Sequence, residues 1–203
     1  MRSTCIIAAL LAAAPASADP PRQVHVEIPD ECALYTERDE DWSNLISVAT
    51  CMQQVRVPCI DDPAAVEGIV QGLAGEIAPS ILVYVAAMEH GPNDAKLRAA
   101  YHIGLTSVAL ATRARSAIAV PDLTDEVAAK RFRILHTRVE YALAPVLATA
   151  RVSFGLVVTI AEHDRELRRD PVQRNMIRSA AAMLTLLDEG ERERPTHLVH
   201  RGT

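Results

Sequence analysis

Prolines and glycines divide this chain into long segments with helical periodicity, and that division constrains the fold more than any other feature. Between the breaks, apolar side chains recur every three or four residues, which is the spacing of one helix face. Proline interrupts a helix because it lacks a backbone N–H and its ring clashes with the preceding turn. The pattern predicts five helices, over residues 38–57, 61–90, 93–119, 125–166 and 171–190. We therefore expect an all-α fold, an up-and-down helical bundle of about five helices, preceded by an extended N-terminal segment.

Residues 1–18 have the layout of a secretory signal peptide. Arg2 gives a cationic start, an apolar run extends from Ile6 to Ala14, and the Ala16-Ser17-Ala18 triplet fits the small-residue rule for cleavage. We expect an exported protein, periplasmic or secreted. The predicted organisation is a cleaved signal peptide at 1–18, an N-terminal segment at 19–60, a bundle core at 61–190 and a flexible charged tail at 191–203.

Three cysteines remain once Cys5 has left with the signal peptide. In an exported protein, a disulfide is the expected state of such cysteines. Cys51 and Cys59 lie on either side of a break at Pro58, so a hairpin-like closure would pair them. Cys32 competes for this pairing if the segment before the first helix folds back along it. We therefore predict a disulfide-stapled N-terminal segment.

Acidic and basic residues are unevenly distributed along the chain, although its net charge at pH 7 is only −5. Residues 19–95 hold 14 acidic and 3 basic side chains, whereas residues 96–203 hold 12 acidic and 17 basic ones. The two halves therefore either attract each other or face different partners. The net negative charge and the aromatic content of 3% argue against a nucleic-acid-binding protein, which needs cations for phosphates and rings for bases.

A basic stretch near the start of the long fourth segment is the candidate binding surface, formed by Lys130, Arg131, Arg133 and Arg138. Its partner would be an envelope protein or an anionic envelope surface, either a lipid headgroup layer or a cell-wall polymer. Glu126 stands four residues before Lys130, so an ion pair along the helix would neutralise one of the cations. On this interpretation, the chain is a non-catalytic binding protein or envelope scaffold.

A second candidate is a metal site formed by His102, His136 and Glu140. His136 and Glu140 share a helix face at a spacing of four residues, and His102 would approach from the preceding helix. A periplasmic metal- or ligand-binding sensor is accordingly the alternative function. Covalent haem attachment requires a CxxCH motif, which the sequence lacks, and we expect no cofactor.

The start of the fourth segment, Leu123-Thr124-Asp125-Glu126-Val127, resembles the LTxxQ helix start of small periplasmic chaperones and metal-stress sensors. Val127 stands where that family has glutamine, and the likeness covers these five residues alone. The resemblance implies a chaperone-like helical bundle in the periplasm, as one form of the same alternative.

No sequence motif nominates a reaction. The GxSxG elbow and the Ser-x-x-Lys pair of serine hydrolases are both absent from the sequence. We therefore expect the protein to act without catalysis. A hydrolase whose site is assembled from scattered residues is a further alternative.

Residues 141–161 are apolar almost all round, with Arg151 near the middle. A charged side chain at that position opposes a transmembrane span, so we interpret the run as the buried central helix of the bundle. Arg151 must then either reach the surface or find an acidic partner, for which Glu67 and Glu76 are the candidates.

Gly68, Gly72 and Gly75 share one face of the second helical segment. Because glycine has no side chain, such a stripe leaves nothing between the backbone of this helix and that of a neighbouring one. We expect the stripe to let a neighbouring helix pack closely, with self-association through the stripe as the alternative.

Overall fold

The computed structural model describes residues 42–51, 57–121 and 124–192, and the regular structure in these ranges is helical. Its five helices are α1 (Trp42–Cys51), α2 (Val66–His90), α3 (Asn93–Ser116), α4 (Glu126–His163) and α5 (Pro171–Arg192). Within the same ranges, the β-type pairing is limited to one isolated bridge between Ile60 and Ile118. The predicted all-α bundle is confirmed. The predicted signal peptide and the lead-in through residue 41 lie outside the described residues.

Aspartates cap the starts of α4 and α5 and a turn that precedes α2. The Asp125 carboxylate accepts hydrogen bonds from the backbone N–H groups two and three residues further on, at 2.9 and 3.3 Å, and so caps α4. Asp170 caps α5 in the same way, at 2.8 and 2.9 Å. Asp62 accepts from the backbone N–H two residues on, at 2.9 Å, in the turn that precedes α2. Because that turn occupies residues 63–65, α2 begins at Val66 and not at Asp61 as predicted.

Gly91 makes the tight connection between α2 and α3. A Cβ atom at this position would lie 2.5 Å from the carbonyl oxygen of Ala87 and 3.0 Å from the Cβ of Ala95. A larger residue would therefore separate the end of α2 from the start of α3, so the turn depends on glycine.

The helices α3 and α4 form the centre of the bundle, since α3 packs against all four other helices and α4 packs against α2, α3 and α5. One hydrophobic core lies among α1, α2, α3 and the N-terminal half of α4, with the Tyr84 ring fully buried. A second core joins α3, the C-terminal half of α4 and α5 around Phe154. Both α2 and α4 remain single helices through their internal prolines, Pro79 and Pro145.

The predicted burial of residues 141–161 is correct for one side of α4. Leu143, Phe154 and Val157 are fully buried, whereas Tyr141 is 74% exposed and Val152 is 38% exposed. By length and composition alone, α2 and α4 are each apolar enough to cross a membrane, with 28% and 39% of their most apolar windows buried inside the protein.

The predicted partners of Arg151 are wrong. Its Nε donates to Oδ1 of Asp188 at 2.7 Å, and its Nη2 donates to the carbonyl oxygen of Leu187 at 3.1 Å. Both acceptors lie on α5, because α5 and not α2 packs beside the C-terminal half of α4. The acids Glu67 and Glu76 are exposed on α2.

The expected close packing at the glycine stripe is also wrong. A Cβ at Gly68, Gly72 or Gly75 would have no neighbouring atom within 4 Å, so the stripe faces outward. The close approach occurs instead at Gly104, where a Cβ would lie 2.6 Å from the ring of Phe154.

Candidate functional site

Three large apolar side chains stand exposed along the N-terminal half of α4. Val127 is 78% exposed, Ile134 is 46% exposed and Tyr141 is 74% exposed. They are spaced at intervals of seven residues, over which a straight helix drifts by only about 20°. The three side chains therefore share one face, which we call the α4 outer face.

The four predicted basic residues, Lys130, Arg131, Arg133 and Arg138, are all exposed on this half of α4. Two of them bind the segment before α2 through backbone carbonyls. Arg131 Nη2 donates to the oxygen of Asp61 at 3.1 Å, and Arg138 Nη1 donates to that of Pro63 at 3.0 Å. These bonds orient the two guanidinium groups without an ion pair, so the positive charge remains available to a partner.

The expected ion pair along the helix, between Glu126 and Lys130, is not formed among the described residues. The carboxylate of Asp125 accepts hydrogen bonds from backbone N–H groups at the start of α4, where the helix dipole balances part of its charge, and that of Asp62 accepts one in the turn before α2. The acids at this end of the bundle therefore offset the cations of α4 only in part.

A second polar group lies where α1 covers α2 and α3. The hydroxyl of Thr50 donates to the carbonyl oxygen of Ile46 at 2.7 Å, so it accepts from the Tyr84 hydroxyl at 2.9 Å. Nδ1 of His102 lies 3.5 Å from the same Thr50 oxygen. A shallow depression of about 380 Å³ beside them is lined by Ile46, Ser47, Thr50, Cys51 and His102.

The hydrogen bonds of this polar group hold α1 in place and do not activate Thr50 as a nucleophile. A hydroxyl nucleophile must give its proton to the histidine that activates it, whereas Thr50 gives its proton to its own helix. Burial of the ring, and secondarily the charge of Arg98, lower the pKa of His102. Arg98 Nη1 donates to Ser43 Oγ at 2.9 Å, so it ties α1 to α3. Thr50, Tyr84, His102 and the Arg98–Ser43 bond together make a polar seat for α1.

Arg98 also reaches α5. The amide of the buried Gln173 is assigned with its oxygen toward Arg98, where it accepts from Nε at 2.9 Å and from Nη2 at 3.2 Å. One arginine therefore links α1, α3 and α5. Sequence reasoning missed this role, because neither the Arg98 nor the Gln173 position carries a motif.

The structure does not bring the predicted metal ligands His102, His136 and Glu140 together. The Glu140 carboxylate accepts from Arg115 Nε at 2.6 Å and from Nη2 at 2.8 Å, and this hydrogen bond raises the pKa of Arg115. His136 is exposed beside Phe132, with ring centroids 6.2 Å apart. In residues 42–51, 57–121 and 124–192, no group of three or more His, Cys, Asp or Glu side chains is arranged to hold a metal ion.

The predicted disulfide between Cys51 and Cys59 is wrong, since Cys59 is an exposed free thiol. Its neighbour Ile60 is anchored just beyond the end of α3 by a hydrogen bond from its backbone N–H to the carbonyl oxygen of the C-cap residue Ala117, at 3.0 Å. The competing partner, Cys32, lies outside the described residues.

Together, the fold and the exposed face of α4 define a helical bundle with a mixed basic and apolar surface. Comparison of the chain with protein families, with curated proteins and with solved structures finds no match. The function is therefore inferred from the side chains themselves.

Proposed function

We propose that this chain is an exported, non-catalytic binding protein that docks on an anionic surface of the cell envelope through α4. The observation that carries the proposal is the exposure of Lys130, Arg131, Arg133 and Arg138 on one half of one helix. Export is supported by the signal-peptide layout of residues 1–18.

Charge drives the first step of docking in this proposal. Clustered cations raise the local concentration of an anionic partner and speed the encounter, and this effect weakens as salt screens the charges. Lys130 and Arg133 are the cations to test first, because Arg131 and Arg138 also hold the segment before α2.

The test replaces Lys130 and Arg133 with glutamate and measures binding to vesicles of anionic phospholipid and to a soluble polyanion. The matched control, Arg174→Glu with Arg178→Glu, changes the charge equally at exposed positions on α5. We expect at least a tenfold loss of binding, roughly the effect of two lost charge contacts, to one or both probes for the α4 variant alone. Equal binding by both variants and the native protein would overturn the proposal.

A further inference from the structure

We infer that the partner of the α4 outer face is the interface of an anionic lipid bilayer, into which Val127, Ile134 and Tyr141 insert. This inference rests on the proposed function and specifies its partner. Cations alone would bind any polyanion, so the three exposed apolar side chains are the feature that selects among anionic partners.

The spacing of the apolar side chains favours a lipid surface over a partner helix. A helix that packs into a coiled coil needs apolar residues at both the a and the d positions of each heptad. Val127, Ile134 and Tyr141 supply one of these positions. The residues at the other core position are polar. Depending on which position Val127 takes, they are Lys130 or Arg131 in the first heptad and Thr137 or Arg138 in the second. A facing helix would therefore have to bury charges between its apolar contacts.

A bilayer interface accommodates the same alternation without that cost. Lysine and arginine extend their charged ends toward headgroup phosphates while their stems lie along apolar surface. A helix that lies flat in the interface places its apolar side chains about 5–10 Å deep, at the boundary of headgroups and acyl chains. Tyrosine suits this boundary because its ring is apolar and its hydroxyl is polar. Tyr141, at 74% exposure, has both parts open to a partner.

The bundle presents this face rigidly. Leu135, Val139 and Leu143 on the opposite side of the same turns are buried, so the helix is already formed before it meets a surface. Binding therefore orders no new segment and orients α4 with its axis along the bilayer plane.

The experiment separates insertion from charge attraction. Val127→Ser, Ile134→Ser and Tyr141→Ser are combined in one variant, and its matched control carries Val172→Ser and Leu186→Ser, at exposed apolar positions on α5. Sedimentation with phosphatidylglycerol-containing vesicles should show about a tenfold or greater loss for the α4 variant and no loss for the control. Binding to a soluble polyanion should remain unchanged in both.

A second measurement reports directly how deeply the α4 outer face inserts into the bilayer. Trp42 is the single tryptophan of the chain, so Ile134→Trp in a Trp42→Phe background gives one reporter on the α4 outer face. Its emission should shift to shorter wavelength with anionic vesicles and be quenched by lipids brominated on the acyl chains. Leu186→Trp in the same background should show neither change.

The outcomes distinguish the two claims. If the serine variant still binds vesicles while the Lys130→Glu, Arg133→Glu variant does not, binding is electrostatic and the lipid insertion is wrong. Loss of polyanion binding along with vesicle binding in the serine variant also contradicts insertion. If neither set of variants changes binding to either probe, the proposed function fails together with the inference.

Discussion

The rings of His102 and Tyr84 are stacked, with centroids 5.7 Å apart and an interplanar angle of 17°. His102 lies on α3 and Tyr84 on α2, and Thr50 of α1 is hydrogen-bonded to the Tyr84 hydroxyl. The stack is therefore part of the polar seat of α1, so the charge of His102 affects how firmly α1 is held.

Acidic pH should lower the free energy of unfolding of the protein through protonation of His102. The pKa of this residue is below its ordinary value of 6.5 in the folded protein, mainly because of burial and secondly because of Arg98, so folding favours the neutral ring. The associated stability is fully present above about pH 6.5 and is lost as the pH falls toward the lowered pKa. His102→Gln should flatten the pH dependence of the free energy of unfolding in that window, measured by urea denaturation. His136→Gln, at an exposed position on α4, is the control, and an unchanged pH profile in His102→Gln would contradict this assignment.

Two glycines should respond in opposite directions to the same substitution. Gly104→Ala places a Cβ against Phe154 and should cost about 1–3 kcal/mol of stability, as overpacking does. Gly72→Ala adds a Cβ with no atom within 4 Å and should stabilise α2 by about 0.5–1 kcal/mol, because alanine restricts the unfolded chain. Thermal unfolding of both variants checks the pair. A destabilised Gly72→Ala would mean that a partner packs against the stripe.

The bidentate pair of Arg115 and Glu140 should contribute modestly to the packing of α3 on α4. The side chains are 39% and 23% exposed, so solvent screens much of the attraction, and a coupling energy of about 0.5–1 kcal/mol is expected. A double-mutant cycle with Arg115→Ala and Glu140→Gln measures it. A coupling energy indistinguishable from zero would show that the pair is incidental to the fold.

The thiol of Cys59 should react with iodoacetamide in the native protein without prior reduction, since it is exposed and free. The pairing of Cys32 with Cys51 stays a prediction, which peptide mapping under non-reducing conditions tests. Recovery of a peptide that links Cys51 to Cys59 would contradict the structure.

Sequence periodicity was sufficient for the number and order of the helices, whereas the predicted ends at residues 119 and 166 lie three residues beyond the observed ends of α3 and α4 at Ser116 and His163. It placed the start of α3 at Asn93 and that of α5 at Pro171, as observed. It misplaced the start of α2, since Asp62 caps a turn before the helix and not the helix itself.

Contacts between helices could not be predicted in this way, because they depend on which faces meet. Arg151 binds α5 and the glycine stripe faces outward, although the sequence correctly predicted that both lie on helices. Only the basic part of the candidate binding surface on α4 could be predicted from the sequence. Its cations form a visible run, whereas Val127, Ile134 and Tyr141 fit equally well into an apolar core until their exposure is known.

Docking on an anionic bilayer is tested most directly by sedimentation of residues 19–203, the form expected after signal-peptide cleavage, with vesicles of two compositions, one anionic and one purely zwitterionic. We expect binding to the anionic vesicles that weakens as salt rises, because the cations of α4 meet the headgroups first. Little binding to the zwitterionic vesicles is expected. Equal binding to both compositions would contradict docking through the cations of α4, and no binding to either would contradict an anionic bilayer as the partner.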